Sequence, residues 1–142
     1  MRHVILPVLA RISCRNKVLA EHLQIGDQVQ AYDYRSSKLM MTTIIAVNPV
    51  DPVQKILTPI NGWRIVALAN ETVALSPQGE CTLSDKPRQF IGFCQKNPIK
   101  LLLRGVGPCL EYNEEWAAVE LIWDGPQYIW AEGILVGNAK LD

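Results

Sequence analysis

The stretch that decides the fold is Tyr128-Ile129-Trp130-Ala131-Glu132-Gly133-Ile134-Leu135-Val136-Gly137-Asn138. From Tyr128 to Val136 it is aromatic and branched apolar, interrupted only by Ala131, Glu132 and Gly133. That composition reads as a strand. Gly125-Pro126 punctuates the chain just before it, and Trp116 to Trp123 reads as another strand.

The same character extends toward the amino end. Val4 to Leu9 is apolar and rich in Val and Ile. Val18-Leu19-Ala20-Glu21-His22-Leu23 fits one helical turn or a strand, and periodicity does not separate the two. After Gly26-Asp27, Gln28 to Tyr32 alternates polar and apolar. Arg35-Ser36-Ser37-Lys38 is turn material, so Leu39 to Val47 should pair back as a hairpin. Asn48-Pro49-Val50-Asp51-Pro52 is expected to stop that strand, because neither proline has an N–H to give a ladder. Val53 to Thr58, Trp63 to Ala69 and Thr72 to Leu75 follow, the last two joined by a hairpin turn at Asn70-Glu71. Ser76-Pro77-Gln78-Gly79-Glu80 turns the chain. Cys81 to Arg88 reads as a loop in which Ser84 would cap a short helix. Phe90 to Cys94 and Ile99 to Leu103 are further strands. About ten short strands with Gly or Pro at nearly every junction predict a single all-β domain over residues 1–142, a compact sandwich or a curled, barrel-like sheet.

Composition narrows the function. At 142 residues, 49% hydrophobic and 20% charged, the chain can build an ordinary core without staples. Its 14 Lys+Arg balance 14 Asp+Glu, which argues against nucleic-acid binding driven by phosphate counterion release. No run reaches the ~20 apolar residues of a membrane span. The apolar start contains Pro7 and is followed by Arg11 without a small-residue cleavage site, so it reads as a strand rather than a secretory signal. Cys14, Cys81, Cys94 and Cys109 form no C-x-x-C pair, and His3 and His22 are the two histidines. Neither a metal site nor a disulfide framework is expected, no cofactor is implied, and reduced thiols fit a cytoplasmic setting.

Enzyme-like constellations are thin. Nothing local would activate a serine beside His3 or His22. Gly105-Val106-Gly107-Pro108 lacks the Lys-Ser/Thr ending of a phosphate loop. Glu111, Glu114 and Glu115 read as a solvated loop. Trp116, Trp123 and Trp130 are spaced by seven, so they cannot all line one flat strand face, and packing explains them better than base stacking.

Three separated segments, in order, resemble the Hint superfamily of hedgehog and intein autoprocessing domains. Gln24-Ile25-Gly26-Asp27-Gln28-Val29-Gln30-Ala31-Tyr32-Asp33 resembles that family's Gly-Asp strand. Trp63-Arg64-Ile65, leading to Glu71-Thr72-Val73-Ala74-Leu75-Ser76-Pro77-Gln78-Gly79, resembles its central strand and Thr-x-x-His turn. The segment from Tyr128 to Asn138 is similar to the aromatic–Ala–Asn–Gly–Ile–Leu–Val–His–Asn ending of inteins, and Ala118-Val119-Glu120-Leu121 to the Val-Tyr-Asp-Leu before it. The resemblance implies a Hint-like horseshoe of short antiparallel strands.

It also locates the positions where the family's chemistry would sit. Splicing in that family opens with a Cys or Ser at the first residue, whose side chain attacks the preceding carbonyl. The matching residue is Met1, whose thioether has no proton to lose. Cys14 follows the first strand, where the family has a turn, and reads as an ordinary thiol. The Thr-x-x-His turn becomes Ser76-Pro77-Gln78-Gly79, with Gly79 at the histidine. The histidine after the Gly125-Pro126 turn is Gln127, and the penultimate histidine is Gly137. Asn138 keeps the family's terminal asparagine, while Ala139 stands where a Cys, Ser or Thr would accept the chain. Losing one acid or base typically costs about 10²- to 10⁴-fold, and groups that act as a unit fail together. No catalytic residue is therefore expected. If Met1 is the initiator, nothing precedes it to be ligated, and only Ala139-Lys140-Leu141-Asp142 follows Asn138.

The resemblance thus implies a splicing-inactive domain acting as a structural or protein-interaction component of a phage particle or other mobile-element assembly. Its partners would be other protein chains or further copies of itself, in the cytoplasm or within a viral particle and away from membranes. One rival is residual self-cleavage after Asn138. The other is a β-barrel module for a small ligand or nucleic acid, using Arg88, Lys96, Lys100 and Arg104.

Overall fold

The computed structural model describes residues 1–13, 17–60, 64–69, 72–82, 85, 88–94, 97–105 and 110–137. The strands are β1 Arg2–Pro7, β2 Arg11–Ser13, β3 Lys17–Leu19, β4 Gln28–Asp33, β5 Lys38–Ile60, β6 Arg64–Ala69 and β7 Val73–Ser76. They continue with β8 Gly79–Thr82, β9 Gln89–Cys94, β10 Asn97–Gly105, β11 Leu110–Trp123, β12 Tyr128–Ala131 and β13 Ile134–Gly137. The ambiguous segment after residue 17 divides: β3 leads directly into a 3-10 turn, Ala20–His22.

The strands form one curled antiparallel sheet whose main path runs β1-β11-β5-β4-β12-β13-β7-β8. β4 and β5 form the expected hairpin, with Gln28 opposite Thr43 and Asp33 opposite Lys38. β11 lies between β1 and β5, so the first strand is held by a strand more than a hundred residues away: Arg2 is opposite Trp123 and Pro7 opposite Ala118.

β12 and β13 carry the core on both sides. Ile129, Ala131, Ile134 and Val136 pack into a cluster with Leu6, Ile12, Ile44, Phe90, Leu121 and Trp123. Tyr128, Trp130 and Leu135 face the other way, into a second cluster with Tyr32 and Leu75. Every residue of both strands is buried, which is why the decisive stretch has no polar alternation. Each large apolar side chain buried there stabilises the fold by about 1.5–3 kcal/mol relative to exposure.

Several expectations are corrected. The stretch from Tyr128 to Val136 is a hairpin rather than one strand. Glu132 (φ 53°) and Gly133 (φ 83°) both take left-handed conformations, the signature of a two-residue turn whose twist suits the flanking strands. Asn48-Pro49-Val50-Asp51-Pro52 does not stop the chain, because β5 runs straight through it with Pro49 opposite Val119. β6 pairs with β5 only from Lys55 onward, so over residues 48–54 one edge of β5 has no partner strand among the described residues. A proline nitrogen facing such an edge forgoes no ladder bond and discourages edge-to-edge association.

β6 and β7 do not form the expected hairpin: β6 pairs with β5, whereas β7 pairs with β8 and β13. Asn70-Glu71 and Ser84 themselves lie outside the described residues. Cys81 belongs to strand β8, opposite Ala74, rather than to a loop. Glu111, Glu114 and Glu115 likewise lie within β11. No helix among the described residues is long and apolar enough to cross a membrane.

Candidate functional site

The bend 124–127, between β11 and β12, is where residues distant in sequence meet. Trp123 cannot expose its indole without opening the core, so its Nε1 donates inward to the Pro126 carbonyl at 2.6 Å. The Thr42 hydroxyl donates to the Asp124 carbonyl at 3.0 Å, and Arg2 Nε donates to the Gly125 carbonyl at 3.3 Å. The Met1 nitrogen lies 3.8 Å from Asp124 Oδ1. The Met1 side chain is exposed.

On the other side of the bend, Gly137 lies opposite Tyr128. Its φ of +146° suits glycine, and a Cβ built there would fall on the Gln127 carbonyl oxygen. The same Cβ would also sit 3.1 Å from Tyr128 Cα and 3.2 Å from the Gln127 carbonyl carbon. All three obstacles are backbone, so no rotamer change relieves them. Position 137 has no room for a side chain unless the hairpin moves.

Gln127 is buried, and its Oε1 accepts the Tyr34 N–H at 2.7 Å. Its side chain also reaches the Asp33 carboxyl, which is held below its usual range. The Ser36 hydroxyl at 2.8 Å is the main cause; desolvation opposes it, and the Arg35 N–H and Gln127 add to it. The glutamine is thus a bracket between the bend and the β4–β5 turn.

The expected Ser76-Gly79 turn is present between β7 and β8. Ser76 Oγ donates to the Gly79 carbonyl at 2.7 Å and accepts the Gln78 N–H at 3.2 Å. Gly79 has φ +113°, with no atom within 4 Å of the position its Cβ would take. The space is open there, but the backbone is one that L residues rarely adopt. Beside it, Glu80 Oε1 accepts the Tyr128 hydroxyl at 2.6 Å. Tyr34 packs edge-on against Tyr128, with ring centroids 6.5 Å apart. Through Tyr128 and Glu80 the Gly79 turn is tied to Gln127 and Gly137. Burial pushes the Cys81 thiol up; a hydrogen bond with Ser76 opposes this and Asp85 adds to it.

The structure therefore connects Met1, Gln127 and Gly137 through one bend, and Ser76 and Gly79 through Tyr128. Asn138, Ala139 and Cys14 lie outside the described residues. Of the proposed basic face, Arg88 is exposed, and the side chains of Lys96, Lys100 and Arg104 lie outside the description. His3 Nδ1 is 3.3 Å from Glu120 Oε2, and His22 Nε2 is 3.7 Å from Glu21 Oε1. Among the described residues, no three His, Cys, Asp or Glu gather as metal ligands.

One structural pair escaped the sequence. The Glu132 carboxylate, only 2% exposed, accepts the Arg11 N–H at 2.7 Å, Nε at 3.3 Å and Nη2 at 2.9 Å. The usable signal was a glutamate where the resembling inteins have asparagine, at a turn position that favours left-handed conformations.

No family model matches the chain, and no curated protein matches it. Solved structures do. The chain is similar to a DnaB intein from Synechocystis sp. PCC 6803, at 15% identity and a TM-score of 0.81, over 96% of this chain and 99% of that one. It is similar to a DnaX mini intein from Spirulina platensis, at 12% identity and a TM-score of 0.79, over 94% of this chain and 99% of that one. A bacterial intein-like domain from Clostridium thermocellum aligns at 12% identity and a TM-score of 0.75, over 97% of this chain and 99% of that one. The fold is the all-β intein (Hint) fold.

Proposed function

We propose that this intein-fold domain does not splice and instead serves as a structural or protein-interaction component. The single observation that carries the reading is the Gly137 backbone, which leaves no space for an imidazole beside the bend. Three further features support it. The Met1 thioether cannot attack a carbonyl, Gln127 is committed to Tyr34 and Asp33, and Gly79 presents no side chain to its open space. A route that lacks its nucleophile and its proton donors together has no first step.

An interaction role draws support from the surface. Met41 and Ile45 point outward from β5 and are exposed, as is Ile25 in the turn that bonds to Ile44. Exposed apolar groups of this kind are what a partner chain covers. Membership of a phage particle or another mobile-element assembly extends this reading by resemblance alone.

The test is intact-mass spectrometry of the purified chain held over days at several pH values, with and without hydroxylamine and thiol. The expected result is an unchanged mass. A species ending at Asn138, or hydroxylamine-dependent cleavage before residue 1 when a foreign segment is fused there, would overturn the proposal. Met1→Cys alone should not restore cleavage, because the proton-transfer groups are still missing.

A further inference from the structure

The bend that joins the two sides of the site also contains the sequence Asp124-Gly125. We infer that Asp124-Gly125 is a site of spontaneous backbone isomerisation, and that isoaspartate formed there loosens the attachment of β1. This stands apart from the proposed loss of splicing, and either can fail without the other.

The geometry frees the reacting atoms while binding their neighbours. The nucleophile would be the Gly125 nitrogen, whose N–H has no hydrogen-bond acceptor among the described residues. The electrophile would be Asp124 Cγ, on a side chain that is 69% exposed and lies 3.8 Å from the Met1 nitrogen. Gly125 is exposed and has φ +94°, with no atom within 4 Å of the position its Cβ would take. The two carbonyls, by contrast, are occupied: Asp124 O by Thr42 and Gly125 O by Arg2.

The chemistry needs only water. The Gly125 nitrogen attacks the protonated Asp124 carboxyl, a C–N bond forms at Cγ, and the carboxyl C–O bond breaks. The hydroxyl departs as water with the amide proton, leaving a five-membered imide. Water then adds to either imide carbonyl. Opening at the former Asp124 backbone carbonyl leaves the chain running through Cγ, one methylene longer, with unchanged mass. The former Asp124 carbonyl, which Thr42 holds, leaves the main chain as a free carboxylate, and the chain that reaches the carbonyl held by Arg2 gains a methylene, so both bonds cannot keep their geometry. Arg2 is the first paired residue of β1, opposite Trp123, and the disturbance enters β1 there.

The experiment ages the full chain at physiological temperature and pH, then digests it with trypsin. The peptide running from Gly105 to Lys140 is examined for a second chromatographic species of identical mass, placed at residue 124 by electron-transfer fragmentation. Asn61-Gly62 falls in a separate tryptic peptide and gains mass on deamidation, so it does not interfere. Isomer should form at a rate within about tenfold of a free peptide of the same sequence, a restraint of no more than about 1.4 kcal/mol. Asp124→Glu, which keeps the charge but cannot close a five-membered ring, should lose the new species. Conversion more than tenfold slower than in the free peptide, or an equal signal in Asp124→Glu, overturns the site. The isomerised fraction should exchange the amide hydrogens of β1 faster than the fresh chain. Equal exchange overturns the loosening.

Discussion

Gly137→Ala is the sharpest test of the site geometry. Two costs combine at that residue. A non-glycine side chain at φ +146° requires a sparsely populated conformation, worth about 1–3 kcal/mol. The added Cβ also collides with the Gln127 carbonyl and crowds Tyr128 Cα, and forced overpacking of this kind costs about 1–3 kcal/mol. The sum, about 2–6 kcal/mol, is a large part of the 5–15 kcal/mol that holds a typical domain folded. Gly79→Ala supplies the control, because its φ of +113° brings the conformational cost with nothing for the new methyl to strike. Urea unfolding followed by tryptophan fluorescence, with shared slopes, reads both variants. Gly137→Ala should unfold at clearly lower urea than Gly79→Ala, by a margin equivalent to about 1–3 kcal/mol. If the two variants lose equal stability, or Gly137→Ala behaves as wild type, the argument that position 137 excludes an imidazole is wrong.

The Arg11–Glu132 pair gives a second test. Removing one partner of a buried pair costs about 3–5 kcal/mol. Arg11 is 38% exposed, so solvent screening lowers the expectation for Glu132→Ala to about 1–3 kcal/mol. Glu132→Gly should lose about 1 kcal/mol less than Glu132→Ala, because glycine accepts φ 53° freely; thermal unfolding compares them. Trp123→Phe leaves the Pro126 carbonyl without its indole donor and should cost about 1–3 kcal/mol by the same measurement. Asp33 should titrate below its ordinary 3.8 in a carboxyl NMR titration, and Ser36→Ala should move it upward. Because the folded value is the lower one, its contribution to stability is present above the ordinary value and is lost as pH falls through the folded value. Cys81 should react with a thiol reagent at neutral pH more slowly than a free cysteine, and more slowly still after Ser76→Ala removes the bond that favours its thiolate.

What could be read before folding was whatever depends on local spacing. The alternation in β4, the turn residues before β5 and the apolar runs of β1 and β12 report covered or half-covered strands. The two-residue gap between Ser76 and Gly79 marks a tight turn. Gly79, Gln127 and Gly137 carry no imidazole, which residue identity alone shows; that these positions answer to histidines is an expectation supplied by the resemblance. Where the reading failed, a neighbour decided. Pro49 and Pro52 lie where one edge of β5 has no partner strand among the described residues, a setting that tolerates proline in a strand. The Glu132-Gly133 turn needed a Glu in a left-handed conformation, which local preference disfavours and the Arg11 contacts sustain.

The sequence by itself determined that this chain is built of strands and that Met1, Gly79, Gln127 and Gly137 carry neither a nucleophile nor an imidazole, since strand periodicity and side-chain chemistry are carried residue by residue. The tertiary structure alone decided that Arg2, Thr42, Gln127 and Gly137 converge on one bend, and that Gly137 has a carbonyl where a Cβ would go. The convergence depends on contacts between residues 82, 93 and 123 apart in sequence, and the close approach at Gly137 on the register of the β12–β13 hairpin. Local sequence encodes no distance between them until the sheet has closed.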